Sequence, residues 1–215
     1  MSQEKSASYY RGSRPEVFDL VPSGMKKVLE IGCGSGRFRL NFKEDVEYWG
    51  VEPVASAAEE AEGLARLLVG TLDDVESQIP DGYFDLVVCN DVLEHIFDTH
   101  QAMDIIKRKM KADAVLVGSL PNVRSVWVLL ELIFLRDWRY RESGVLDSTH
   151  VRFFTFKSAK RMLQENGFTI EVFKGRFLGR IWWCKVLLVL IAPLLCVFGW
   201  DICRTQMLFR ARKSI

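Results

Sequence analysis

Three glycines, Gly32, Gly34 and Gly36, alternate with Cys33 and Ser35 at the end of a short apolar run, VLEIGCGSG over residues 28–36. Glycine lets the backbone turn through conformations closed to residues with a Cβ, and it lets a ligand approach the main-chain amides without meeting side chains. The turn therefore suits a nucleotide-like ligand, with backbone amides expected to face it. A phosphate-binding P-loop would end in Gly-Lys-Ser/Thr, and Arg37 and Phe38 follow Gly36 instead, which removes that option. The dinucleotide pattern GxGxxG would put its third glycine at Arg37, so GxGxG departs from it by one residue and leaves a nicotinamide cofactor as the alternative. About twenty residues past Gly32, Glu52 closes YWGVEP, where a carboxylate at a strand's end can accept from both ribose hydroxyls.

The elements that must position these groups are readable from periodicity. Residues 26–31 have the length and β-branched content of a buried parallel strand, and a helix is expected to open over residues 37–42. A second strand over 46–51 stops at Pro53 and is followed by an alanine-rich helix over 55–64. Residues 65–69 read as a third strand. Residues 83–90 read as a central fourth strand, nearly all apolar as expected when both faces are covered. Its C-terminal edge puts Asn90 and Asp91 near the reacting group, with Glu94 and His95 at the start or cap of the next helix. An amphipathic helix over 99–110 carries Lys107, Arg108 and Lys109 in its last turn, where they complement the helix dipole. A fifth strand (114–119), a long apolar helix (126–135), an irregular aromatic and polar loop (136–150), a helix (157–166) and a sixth strand (168–173) complete the pattern.

Taken in order, VLEIGCGSG, WGVEP, LVGTLDDV and FDLVVCNDVLEHI resemble the successive motifs of the class I S-adenosylmethionine-dependent methyltransferases, and the resemblance spans most of the chain. VGSLPN and LDSTHVRFFTFKSAKRMLQENGF are similar to the type 11/23 branch, often associated with bacterial cell-surface sugar pathways. The resemblance implies an α/β, doubly wound, Rossmann-like sheet of seven strands, the last (QMLFRA, 206–211) antiparallel and inserted beside the fifth, with helices on both faces. It implies S-adenosyl-L-methionine as cofactor and methyl transfer as reaction. Carried onto this sequence, Glu30 is tied to the cofactor's amino-acid end, Gly32, Gly34 and Gly36 form its turn, and Glu52 holds the ribose. Leu72 supplies a backbone amide and apolar cover for the adenine, Asp73 meets its exocyclic amine, and Asn90 is a further cofactor contact. Thr71 departs from the family, which more often has Asp there. His150, in the tail motif with Asp147 near enough in sequence to orient it, is the candidate catalytic base for a hydroxyl acceptor. The acceptor is expected to be a small molecule, a saccharide or a lipid-linked saccharide. The alternatives are a nicotinamide-dependent oxidoreductase and a non-catalytic cofactor-binding subunit.

Composition narrows the classes further. With 215 residues the chain fits one domain, and 29 Lys plus Arg against 28 Asp plus Glu leave no basic excess for binding nucleic acid. Five cysteines without a CxxC pair read as reduced thiols of a cytoplasmic protein, and the first twenty residues lack the apolar core of a secretory signal. Three histidines with no clustered His/Cys spacing give no expectation of a metal site. Residues 181–200, IWWCKVLLVLIAPLLCVFGW, are long enough to span a bilayer, but Lys185 and Pro193 interrupt the run and QMLFRA must return to the sheet. A helix that covers the sheet or lies in the inner membrane surface is expected there, flanked by arginines.

Overall fold

The computed structural model describes residues 12–43, 45–177 and 199–214. Seven strands form one sheet in the order β3-β2-β1-β4-β5-β7-β6. They are β1 (Lys27–Ile31), β2 (Glu47–Glu52), β3 (Arg66–Val69), β4 (Phe84–Asn90), β5 (Met110–Pro121), β6 (Phe168–Phe177) and β7 (Arg204–Lys213). The first five are parallel to one another, and β7 runs antiparallel to both β5 and β6. This is the doubly wound, Rossmann-like architecture, with the last strand inserted beside the fifth.

Successive residues of each central strand feed opposite cores, as the period of two requires. Leu29, Val87, Cys89 and Leu116 face a cluster covered by α3 (Leu72–Val75), α4 (Thr99–Lys109) and α6 (Phe156–Glu165). Val28, Leu86, Val88 and Val115 face a second cluster with Val17 of α1 (Pro15–Phe18) and Phe38. Helix α6 starts where expected because Thr155 and Ser158 form a reciprocal capping box, satisfying amides that the first turn leaves without partners.

Several elements differ from their sequence reading. Residues 37–42 fold as a 3-10 turn over Arg37–Asn41, closed by the Asn41 amide donating back to the Phe38 carbonyl. The helix expected over 55–64 stops after one turn, α2 (Ala55–Ala58). Glu59, Glu60 and Glu62 would crowd the negative end of the helix dipole, and Gly63 takes φ +73°. The helix at 126–135 is α-helical only over α5 (Val126–Leu130), continues as a π-turn over Glu131–Leu135, and leaves Ile133, Phe134 and Leu135 more than 60% exposed. Most of the hydrophobic segment 181–200 lies outside the described residues. Among the described residues no helix is long and apolar enough to cross a membrane.

The β4–β5 pairing depends on a missing side chain. A Cβ on Gly118 would lie 2.2 Å from the Cys89 carbonyl oxygen and 2.8 Å from the Phe209 ring. Gly118→Ala is expected to lower stability by about 1–3 kcal/mol through overpacking, read as an earlier denaturant midpoint with unchanged slope.

Candidate active site

The C-terminal edges of β1, β2 and β4 open onto one cavity of about 1050 Å³, at the upper end of the roughly 300–1,000 Å³ usual for small-ligand sites. Open α/β sheets bind ligands at this edge because the crossovers diverge there. The first wall is the glycine turn. Gly32, Gly34 and Gly36 have φ of 70°, 52° and 72°, all in the left-handed region. At Gly32 a Cβ would also meet the Val92 methyl at 2.4 Å, so the residue is fixed both by conformation and by space.

The amides of this turn do not point into the cavity as expected. Gly32 and Cys33 donate to the Val51 carbonyl at 2.8 and 3.1 Å, and Gly34 donates to Glu52 Oε2 at 2.8 Å. The other oxygen of Glu52 accepts from the Val54 amide at 2.9 Å. Glu52 thus braces the first strand's turn against the end of the second while lining the cavity. Burial raises its pKa, and the two amide hydrogen bonds oppose that shift.

Glu30 is 3% exposed, accepts from the Tyr48 hydroxyl at 2.7 Å, and lies 3.5 Å from the Asn90 amide nitrogen. Burial pushes its carboxyl up to about 8, against the lowering effect of those two groups, so it is protonated at neutral pH. The Asn90 carbonyl oxygen is buried without a hydrogen-bond partner beside it. Asp91 follows in a left-handed conformation, φ 52°, held by Arg14 at 2.5 Å, Ser119 at 2.8 Å and Gln206 at 2.7 Å. Holding a non-glycine residue there costs of order 1–3 kcal/mol, which contacts from three other parts of the chain offset.

On the other wall, the loop over residues 143–152 folds against the turn Leu93–His95, its Val151 and Arg152 amides both donating to the Glu94 carbonyl at 3.0 Å. His150 lines the cavity there. Its Nδ1 is 3.1 Å from the Val145 carbonyl, and that acceptor places the ring proton on Nδ1 and the lone pair on Nε2. Asp147 does not orient the ring as expected: its Oδ1 accepts instead from the Thr149 amide and hydroxyl at 2.8 and 2.7 Å. Burial lowers the His150 pKa, so the imidazole is neutral.

Of the sequence-derived residues, Glu30, Gly32, Gly34, Glu52, Leu72, Asn90 and His150 share this cavity. Two do not line it. Gly36 is buried behind the turn, where a Cβ would sit 3.4 Å from the Glu62 carbonyl, and it serves the chain reversal. Asp73 is exposed in the first turn of α3 because the capping box uses Thr71 and Asp74, directing Asp73 to solvent. Thr71 lines the cavity in its place. Arg14, Glu94 and Gln206 also line it: the sequence reading put Glu94 at the start or cap of the helix after the fourth strand, without a binding role, and Arg14 and Gln206 are brought in by long-range folding.

A glycine turn, a strand-end carboxylate and a buried histidine share one cavity, at the edge where open α/β sheets bind nucleoside cofactors. Residues 5–171 match the family model of the methyltransferase domain, and the chain belongs to that family. It is 20% identical to an S-adenosylmethionine-dependent methyltransferase from Archaeoglobus fulgidus, with a TM-score of 0.67 over 97% of this chain and 95% of that one. A second such enzyme, from Thermotoga maritima, is 19% identical with a TM-score of 0.65 over 95% and 89%. In sequence, 110 residues are 31% identical to the nonribosomal peptide synthetase agiA of Aspergillus flavus, covering 46% of this chain and 1% of that protein. The chain is an S-adenosylmethionine-dependent methyltransferase, and S-adenosylmethionine is its cofactor. The residues present fit that group: the glycine turn and Glu52 line a cavity of nucleoside size, and the buried Asn90 oxygen without a partner and the buried Glu30 can receive donors and positive charge.

Glu30 also predicts how stability depends on pH. Its carboxyl binds a proton up to about pH 8 in the fold but only to about 4.5 as a free side chain. The stability this contributes is complete below about 4.5 and is lost as pH rises through 8. Glu30→Gln, which stays neutral throughout, is expected to flatten the decline between pH 5 and 8 by up to roughly 1.4 kcal/mol per pH unit. Parallel slopes in denaturant melts of the two proteins would refute the shift.

Proposed function

We propose that the enzyme methylates a hydroxyl of a small molecule, a saccharide or lipid-linked saccharide being the first candidate. The observation that carries this reading is His150, which lines the same cavity as the glycine turn and whose Nδ1 faces the Val145 carbonyl, leaving Nε2 as the basic nitrogen. When bound, S-adenosylmethionine supplies a methyl carbon made electrophilic by its sulfonium, and the C–S electron pair stays with the departing thioether. The protein's task is alignment and proton removal. Glu52 holds the ribose hydroxyls while it braces the turn. Glu30 and Asn90 hold the amino-acid end, and Leu72 covers the adenine. His150 takes the proton from the acceptor hydroxyl at Nε2 as its oxygen attacks.

Release of S-adenosylhomocysteine in the presence of hydroxylated sugar acceptors tests the reading, and turnover with amines alone would overturn it. Glu52→Ala is expected to weaken S-adenosylmethionine binding by about 1.5–3 kcal/mol, the range for hydrogen bonds to a charged group, measured by titration calorimetry. Unchanged affinity in a folded variant would remove Glu52 from the cofactor site.

The enzyme is further proposed to work in the cytoplasm at the inner membrane surface. Trp127, Leu132, Ile133, Phe134 and Leu135 are exposed beside Arg136 and Arg139, and Leu129 packs on Ile202 and Cys203, where the apolar 181–200 stretch rejoins the sheet. Apolar side chains rimmed by arginine suit a bilayer with anionic headgroups. The protein is expected to float with phosphatidylglycerol vesicles at low salt and to be released at high salt, with Phe134→Asp weakening the association. Flotation equal on neutral vesicles, or none, would exclude the electrostatic part or the whole.

A further inference from the structure

Glu94 is the least explained group in the molecule. Its side chain is fully buried, it lines the cavity, and both carboxylate oxygens lack a hydrogen-bond partner. A buried carboxyl without partners costs several kcal/mol and is retained only where something compensates it. The charged groups around it are Asp91, Arg14 and Asp147, and two histidines stand beside it. His150 Nε2 lies 3.9 Å from Glu94 Oε1, and the His95 and His150 rings meet edge to face at 4.7 Å. One donor atom from each of Glu94, His95 and His150 falls within 4.8 Å of the others.

Both imidazoles set Nδ1 against a main-chain carbonyl. His150 Nδ1 faces the Val145 carbonyl at 3.1 Å, and His95 Nδ1 faces the Thr149 carbonyl at 3.2 Å. Thr149 Oγ1, also 3.2 Å from His95 Nδ1, spends its own proton on Asp147, so it too is an acceptor there. Backbone carbonyls on Nδ1 put the ring proton on that nitrogen and the lone pair on Nε2, the usual outer arrangement of metal-bound histidines.

We propose that Glu94, His95 and His150 are the protein ligands of a divalent first-row transition-metal ion on the wall of the cofactor cavity, and that this ion binds the acceptor hydroxyl. Two imidazoles and one carboxylate suit zinc, manganese, iron or cobalt and leave positions open for substrate. Ligand atoms around a tetrahedral zinc are about 3.3 Å apart, so the donors close by small side-chain rotations. The Val151 and Arg152 amides on the Glu94 carbonyl already hold the two walls together.

The inference rests on the methyl-transfer reading and deepens it. A bound divalent ion lowers the pKa of a coordinated hydroxyl, so the acceptor loses its proton to water and its oxygen attacks the methyl carbon from the ion. His150 is then a ligand, and the deprotonation assigned to it above passes to the ion. No local pattern announces the cluster, because residues 94 and 95 lie more than fifty positions from His150 and share no ligand spacing with it.

The test is ion binding by the full chain after chelation and dialysis, without acceptor. Titration with zinc is expected to show one ion per chain, and cobalt to give visible absorption bands of low-symmetry coordination. Glu94→Gln and His150→Gln are each expected to weaken zinc binding at least tenfold while S-adenosylmethionine affinity, measured alongside as the check of folding, changes less than about twofold. His100→Ala, at a ring bonded to Asn166, is expected to leave zinc binding unchanged. No stoichiometric ion, or an ion held equally by both glutamine variants, would overturn the proposal. A chain that binds zinc as expected yet never releases S-adenosylhomocysteine would instead count against the methyl-transfer reading.

Discussion

The site depends on one carboxylate reaching sideways across the sheet. Glu52 ends β2, yet one of its oxygens holds Gly34 of the β1 turn and the other holds Val54 of its own. Hydrogen bonds to a carboxylate are worth about 1.5–3 kcal/mol each, which partly offsets the burial that raises the Glu52 pKa and holds the turn in its left-handed run. With the Gly32 and Cys33 amides also tied to Val51, the glycine turn is an extension of the β2 edge. Its shape is set before any ligand arrives, which is what alignment chemistry requires.

Around that brace the cavity collects three buried acids, Glu30, Glu52 and Glu94, while its partly buried Arg14 is paired to Asp91 and only partly offsets the burial of Glu94. Burial raises the pKa of each. The protein therefore stores acids that ionise when positive charge comes near, and the cofactor carries a sulfonium and an ammonium. The divalent ion proposed at Glu94 answers to the same physics on the opposite wall.

Most of the fold was legible because parallel strands buried on both faces read as apolar runs and the glycine turn is a local pattern. Residues whose place is set within a few positions, such as Gly32, Glu30 and Leu72, line the cavity for that reason. Asp73 does not line the cavity: of two adjacent exposed acids, the capping box takes Asp74 and leaves Asp73 in the first turn of α3. Glu94 was read only as the start or cap of a helix because its significance lies in hydrogen-bond partners that the fold removes, and that of Arg14 lies in a strained Asp91 far from it in sequence. The orienting partner of His150 is a main-chain carbonyl, which every residue has and no sequence marks.

The strand order carries a consequence in time. β7 is made after β6 but lies between it and β5, so β6 cannot take its place in the sheet until β7 exists to be its neighbour. β7 also brings Gln206, which closes the clasp on Asp91 at the cavity mouth. A nascent chain on the ribosome would hold a nearly finished cofactor half with an open edge on β5, the kind of exposed strand that invites wrong partners. Competence arrives in one late step, when a single strand both seals that edge and locks the site.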